Sequence, residues 1–328
     1  MKAVVIAADG ALRVADVAEP RPGPHEVLVD VAAAAVNRAD LAQRAGRHEP
    51  GPGSAGDGAR IAGMDAAGVV AQVGADVETI RTGDRVMGLV AGGYAQRAVL
   101  DARLAIPVPG TWSLVEAAAA VSGLQTGYDA LVNAAGLAPG EVVVVQGAST
   151  PVGLTGIQIA RHLGAGMIMG TIRTGRAHAQ VVSAGADLVI HTTSESVADA
   201  VLKATGGRGA DVIVDHVGGD TVPDAIRSLA IEGRLVSVGR LAGAKGELDL
   251  ESLAYKRARI AGVTFRTRSL AQYAQIARAV GENLLPAMER GELRPIIHRT
   301  YPLDRAAEAQ AFMAADEHRG KLVLTVST

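Results

Sequence analysis

An α/β fold in two parts is predicted: a mostly β domain, then a doubly wound parallel-sheet domain, with the chain returning to the first part at its end. Three observations predict it. The chain has 328 residues, more than one compact core usually organises. Up to about residue 120 it consists of short β-rich runs punctuated by Gly and Pro. After that, apolar strands alternate with amphipathic helical segments. The strands of the first part are KAVVI, EVLVDVAAAAV, AAGVVAQVG, GDRVMGLV and YAQRAVL. Those of the second are EVVVVQ, GMIMGT, ADLVI, ADVIVD, GRLVSV and RIAGVTF, separated by segments such as LTGIQIARHLG, as a doubly wound sheet requires. From about Thr267 the chain is helical and ends in GKLVLTV, a strand whose simplest partner is the first sheet. The domains are therefore drawn at 1–121, completed by 265–328, and at 122–264. The Pro/Gly-rich segment from Glu49 to Gly58 lacks apolar periodicity and reads as an exposed loop.

Composition excludes several function classes. Apolar residues make up 48% of the chain, yet they lie in short runs broken by charges, Gly or Pro, and no run approaches the ~20 residues of a bilayer span. The start MKAVVIAADG has no long apolar leader, and the absence of cysteine suits a reducing, cytoplasmic compartment and removes every thiolate ligand. With 32 basic and 34 acidic side chains the net charge is −2, and only one Trp, five Tyr and two Phe are present. Neither a basic face nor a stacking platform for nucleic acid is expected. A small-molecule partner is.

The segment VVVVQGASTPVGLTGIQIARHLG, beginning at Val142, reads as a buried strand, a small-residue turn and an amphipathic helix. Gly147 permits the tight turn and Gly153 permits close packing of the helix. The turn residues Ala148, Ser149, Thr150, Pro151, Val152 and Gly153 would then surround a pyrophosphate at the helix N-terminus. Ala148 stands at a glycine position and Pro151 where a central Gly is usual, so the motif alone is equally an ordinary βα turn. The next strand weights the choice. Where NAD-binding units end this strand in an acid, GMIMGT leads instead into Ile172, Arg173, Thr174, Gly175 and Arg176. Two guanidiniums suit a 2′-phosphate, so NADPH is expected rather than NADH; the plain alternative is two solvated surface arginines.

Further segments carry a resemblance over nearly the whole length: PRPGPHEVLVDVAAAAVNRADLAQRAGRH, AGMDAAGVVAQVG, GDRVMGLVAGGYAQRAVL, GLQTGYDALV, TGGRGADVIVDHVGGD, GRLVSVGRLAGAKGELDL, FRTRSL and EHRGKLVLTV. The chain resembles the quinone oxidoreductase branch of the medium-chain dehydrogenase/reductase superfamily, which includes zeta-crystallin and p53-inducible quinone oxidoreductase-like proteins. The resemblance implies a GroES-like catalytic domain facing a Rossmann cofactor domain across an active-site cleft. Zinc-dependent relatives carry Cys, His and Cys where this chain has Asn37, Met64 and Ser122, with an acid aligned at Asp65. Amide, thioether and hydroxyl do not make a zinc site, so no metal is expected.

What the resemblance implies for the chemistry is hydride transfer from NADPH to an electron-poor acceptor held face to face with it. It places Asn37 near nicotinamide and acceptor, and Thr126 at the start of the cofactor domain. It also brings Val217, Val238, Gly239, Arg240, Phe265, Arg266, Thr267 and Lys321 to the cofactor. Asn37 is alternatively the N-cap of NRADLAQRAG. His48 stands where relatives commonly have Tyr, and its imidazole is a candidate proton donor or a plain loop histidine. Tyr94 is either part of the cleft wall or packing. The acceptor is a quinone on the first reading and an enoyl or enone C=C on the second. On a third, the protein binds NADPH with little turnover, as a sensor or structural protein. RIAGVTF at a sheet edge suggests a homodimer or homotetramer.

Overall fold

The computed structural model describes residues 1–47, 59–316 and 318–327. His48 and the segment 49–58 lie outside the described residues. The chain divides into two compact units, Met1–Ser122 with Phe265–Thr328, and Gly123–Thr264.

The first unit opens with a two-stranded antiparallel ribbon, β1 (Lys2–Ile6) and β2 (Leu12–Asp16). A long strand follows, β3 (Glu26–Val36), and runs into the short helix α1 (Arg38–Arg44). Next come β4 (Asp65–Val73), β5 (Arg85–Leu89), β6 (Arg97–Asp101), β7 (Ile106–Pro107) and the helix α2 (Leu114–Tyr128), within which the chain passes into the second unit.

The second unit contains β8 (Val142–Gln146), α3 (Pro151–His162), β9 (Met167–Ile172), α4 (His178–Ser183), β10 (Leu188–His191), α5 (Val197–Ala204), β11 (Ala210–Asp215), α6 (Val222–Ser228), β12 (Leu229–Ser237), α7 (Leu250–Tyr255) and β13 (Arg259–Gly262). The chain then returns to the first unit with α8 (Leu270–Glu289), β14 (Ile297–Pro302), α9 (Ala306–Ala314) and β15 (Lys321–Thr325).

In the first unit the sheet order is β14-β15-β3-β4-β5-β7, with β6 also paired to β3. β3 serves two cores because its side chains alternate. Val27, Val29 and Val31 join Val70, Val86, Leu100 and Leu104, whereas Ala34 and Val36 join Val4, Tyr301, Met313 and Leu322. The terminal strand does rejoin this sheet: β15 pairs antiparallel with β3 and parallel with β14. Register then fixes what meets at one end of the sheet. Leu322 lies opposite Val36 and Ala67 opposite Ala33, so the start of β15, the end of β3 and the start of β4 share that end.

The second unit holds six parallel strands in the order β10-β9-β8-β11-β12-β13. In sequence terms this is the 3-2-1-4-5-6 order of a dinucleotide-binding sheet, whose order reverses between its first and fourth strands, here β8 and β11. Val142, Val144, Met169, Ile190 and Ile213 form its core with Val201, Ala225 and Ile226 of the covering helices. A mostly β domain joined to a doubly wound sheet is thus the observed α/β architecture. No helix among the described residues is long and apolar enough to cross a membrane.

Candidate active site

One end of the first sheet carries a buried polar cluster. Asn37 follows β3 directly, takes extended backbone (φ −124, ψ 154) and occupies the N-cap position of α1. Its side-chain Oδ1 accepts a hydrogen bond from Lys321 Nζ at the start of β15. Lys321 Nζ lies 3.9 Å from Asp65 Oδ2 at the start of β4, and the Ser122 hydroxyl of α2 is 2.7 Å from each oxygen of that carboxylate. Asp40, on α1, accepts from the Asn37 backbone N–H at 2.7 Å and from the Tyr94 hydroxyl at 2.8 Å, both on Oδ2. All of these groups except Ser122 are buried.

Burial dominates the electrostatics here, since a charge removed from water must be compensated. It pushes the Asp40 carboxyl up to about 7, with the neighbouring Asp65 charge pushing the same way and the Asn37 N–H, Tyr94 and Lys321 opposing. It also raises Asp65, against the pull of Lys321, Ser122 and Asn37, and lowers Lys321 against the pull of Asp65 and Asp40. Tyr94 rises for the same reason, with the Asp40 charge adding to it.

The positions expected to lack zinc ligands are occupied by groups that cannot hold the ion. Asn37 Oδ1 accepts from Lys321 Nζ, Ser122 donates to Asp65, and Met64, half-buried, precedes β4. An amide, a thioether and a hydroxyl do not make the thiolate and imidazole donor set that Zn²⁺ takes. Among the described residues there is no group of three His, Cys, Asp or Glu placed to hold a metal ion.

Tyr94 is fully buried in the core with Val4, Ile6, Val36 and Tyr301, and its hydroxyl donates to Asp40, as the packing alternative for this residue has it. Phe265, Arg266 and Thr267 form a turn that also belongs to the first unit. The Phe265 carbonyl accepts from Tyr273 Oη at 3.0 Å, and the Arg268 guanidinium lies 5.5 Å from the centre of the Phe265 ring.

The second unit gathers the remaining expected residues, Thr126 excepted, at the carboxyl ends of its strands, where ligands of such sheets bind. Gly147, at φ 72, adopts the left-handed conformation that the tight turn after β8 needs. The Thr150 hydroxyl caps α3 by accepting from the Gly153 N–H at 3.0 Å while donating to the Gly147 carbonyl at 2.8 Å. A Cβ on Gly153 would stand 2.7 Å from the Gly147 oxygen, so only glycine lets helix and turn close this far. Pro151 takes the first helical position, which lacks an intrahelical acceptor in any case.

The N–H groups of Gly147, Ala148, Thr150 and Gly153 are engaged within the protein. Those of Ser149 and Val152 have no acceptor among the described residues, and neither has the Ser149 hydroxyl. Ala148 contributes packing instead of a contact surface, its methyl buried facing Gly170 of β9.

After β9, Arg173, Thr174 and Arg176 are exposed, and neither guanidinium has a partner among the described residues. The backbone beneath them is fixed: the Thr192 N–H donates to the Ile172 carbonyl at 3.0 Å and the Thr193 hydroxyl to the Arg173 carbonyl at 3.1 Å. After β11, Asp215 spends its carboxylate on the N–H groups of Val217 (2.7 Å) and Gly218 (3.0 Å). Its carbonyl takes the N–H groups of Val238 and Gly239, tying the β12 end to the β11 end. Arg240 is exposed and reaches back toward the Val238 carbonyl at 3.4 Å. Thr126 is half-buried on α2.

Two buried groups escaped sequence reasoning. Asp40 reads in NRAD as a helix-capping acid, and only the fold reveals its burial. His216, in VDHVGG, lies at the carboxyl end of β11 with Nε2 unpartnered among the described residues, and burial pushes its imidazole down to about 4. A histidine directly after a parallel strand was the available signal.

Comparison with known proteins agrees with this architecture. The family profile for the alcohol dehydrogenase GroES-like domain matches residues 23–110, and that for zinc-binding dehydrogenases matches residues 151–280. The quinone oxidoreductase of Lama guanicoe is 33% identical over 317 residues, covering 94% of this chain and 91% of its own. The spectinabilin polyketide synthase system protein NorB of Streptomyces orinoci is 35% identical over 92% of this chain, which spans only 13% of that protein's length.

Among solved structures, an NAD-dependent alcohol dehydrogenase superposes with a TM-score of 0.86 at 30% identity, covering all of both chains. A mycobacterial protein solved with NADPH gives 0.84 at 27% identity over 99% of each chain. Fold, strand order and full-length relatives converge: the chain belongs to the quinone oxidoreductase branch of the medium-chain dehydrogenase/reductase superfamily, an oxidoreductase family.

Proposed function

We propose that the protein is an NADPH-dependent oxidoreductase that delivers hydride to a quinone or a similarly electron-poor acceptor without a metal. The observation that carries the cofactor reading is the pair Arg173 and Arg176, exposed and without a partner among the described residues on a pinned backbone, where an NAD-binding unit would present an acid. The free N–H groups of Ser149 and Val152 at the start of α3, with the Ser149 hydroxyl, suit a pyrophosphate. Bound NADPH supplies the hydride; the protein supplies binding, orientation and a polar group able to meet a carbonyl oxygen, for which Asn37 is the candidate. His48, outside the described residues, stays a candidate proton donor.

The test mixes purified protein with NADPH or NADH and a panel of quinones, enones and aldehydes, and follows loss of reduced-nicotinamide absorbance. Oxidation of NADPH by quinones, unaffected by a chelator, is expected. No oxidation with any acceptor would overturn the reading. An enoyl or enone acceptor is the second reading, and faster turnover with enones than with quinones would establish it.

Self-association through β13 belongs to the same proposal. This strand ends the six-stranded sheet, so one of its edges has no partner strand among the described residues, and Ile260, Tyr255 and Leu250 are exposed. Light scattering should report a dimer or tetramer, and Ile260→Lys should shift it to smaller species; a native monomer would remove the idea.

A further inference from the structure

Two histidines meet beside the arginine turn of the second unit. His178 is the first residue of α4, and His191 is the last of β10, in register with Ile172 at the end of β9. His178 Nδ1 lies 3.2 Å from His191 Nε2, while the ring centres are 5.4 Å apart and the planes 18° from parallel. The nitrogens are closer than the centres by almost two ring radii, so the rings meet edge to edge with these nitrogens pointing at each other. One of the two must carry the proton and the other accept it. A proton added to an outward nitrogen leaves that hydrogen bond intact, whereas a second would put N–H groups on both facing nitrogens and break it.

The pair lies against the turn Gly175–Ala177, which carries Arg176 and follows Arg173. A Cβ on Gly175 would stand 3.6 Å from His191 Cε1, and His178 directly follows Ala177, whose buried methyl anchors the turn. His178, Arg173 and Arg176 are exposed and His191 is half-buried, so none is sealed from solvent. Among the described residues no carboxylate pairs with any of the four side chains. Glu195, in the loop after β10, is spent on the His191 backbone N–H at 2.8 Å. On the helices packed around the pair, Arg161 of α3 is bound to Asp187 and Asp199 of α5 to Arg227, while Lys203 of α5 adds a positive charge. A basic cluster with no acid of its own suits an anion, and guanidinium and imidazole N–H groups suit the oxygens of a phosphate.

We propose that His178 and His191 complete a phosphate-monoester subsite with Arg173 and Arg176, and that the pair takes up one proton from solvent when the dianionic monoester binds. The inference rests on the reading of the arginine turn as the place of the NADPH 2′-phosphate, and adds the residues that make this subsite sensitive to pH. Imidazole is the side chain whose charge changes between pH 5 and 8, and a phosphate monoester is close to dianionic above pH 7. Two negative charges beside the pair favour its protonated form, so the bound state holds more protons than the free state. Affinity for the dianion is therefore higher near pH 7 and is lost as pH rises.

Adenosine 2′,5′-bisphosphate and 5′-AMP differ only in the 2′-phosphate, and neither needs turnover. Calorimetric titration at pH 7.5 in two buffers of different ionisation enthalpy should show proton uptake with the bisphosphate, at most one per site, and none with 5′-AMP. Between pH 8.5 and pH 7 the dissociation constant of the bisphosphate should fall about fivefold. Replacing both histidines, His178→Gln with His191→Gln, should abolish the uptake and this pH dependence, while the arginines still prefer the bisphosphate to 5′-AMP. Nitrogen-15 spectra of the eight histidines follow the same event in the native protein: the two imidazoles assigned by the single variants should move to the imidazolium range when the bisphosphate is added. Inorganic phosphate separates the two sources of the anion, since equal uptake with it alone identifies a free phosphate and uptake only with the bisphosphate identifies the adenosine 2′-phosphate. Tight bisphosphate binding without proton uptake, or uptake that survives in the folded double variant, would overturn the role of the pair and leave the arginine subsite standing. Equal affinity for bisphosphate and 5′-AMP would overturn both.

Discussion

Reversing both charges with Arg173→Asp and Arg176→Asp should raise the dissociation constant for NADPH about 100-fold while changing that for NADH by less than about threefold. A 2′-phosphate carries close to two negative charges and accepts strong hydrogen bonds from a planar guanidinium, whereas a ribose hydroxyl gains little from either. Both side chains are exposed and unpaired among the described residues, so no internal ion pair is lost when they are replaced, and the fold should be untouched. Their backbone is held by Thr192 and Thr193, which limits the ordering cost of binding. Exposure also means screening: the preference of the native protein for NADPH should shrink as salt rises. Fluorescence titration of both reduced cofactors at two salt concentrations measures this. Equal losses for NADPH and NADH would make the two arginines surface bystanders and return the cofactor question to NADH.

That prediction rests on a part of the molecule the sequence states openly. All six strands of the parallel sheet announce themselves as apolar runs, and the small residues between Val142 and Gly153 mark the turn, because a strand, a tight turn and a helix N-terminus each impose local residue types. The first unit is less legible. β14 reads IHRTYP, with three successive exposed residues, and an edge strand of that kind gives no period-2 apolar signal. β7 is only two residues long. The polar cluster is least legible of all, since Lys321 and Asn37 are 284 positions apart and meet only because β15 pairs with β3 in one register. Asn37 and Lys321 were each suggested by family resemblance, but their bond was not. Tyr94 shows the reverse problem: an aromatic in a Gly-rich segment suits a cleft wall and a core equally, and only its burial against Asp40 decides.

Asp40 carries the largest expected effect on stability. Its carboxyl is pushed from an ordinary 3.8 up to about 7, burial being the main cause. The folded protein therefore keeps a proton that the unfolded chain releases between these values, so the stability tied to this group is full below about pH 4, falls as pH rises toward 7 and is constant above. A shift of about three units corresponds to roughly 4 kcal/mol as an upper bound.

Asp40→Asn removes the charge and keeps an acceptor for the Asn37 N–H and the Tyr94 hydroxyl, while its new NH₂ group replaces an oxygen that has no partner among the described residues. An unpartnered buried NH₂ costs about 1–3 kcal/mol at every pH, so the diagnostic quantity is the slope and not the absolute stability. Urea denaturation at pH 5 and pH 8 should show the native protein losing stability across the interval by a few kcal/mol more than the variant. Parallel losses in the two proteins would mean that Asp40 is already ionised throughout, with Lys321 supplying the compensating charge, and that the cluster holds two buried carboxylates against a single ammonium.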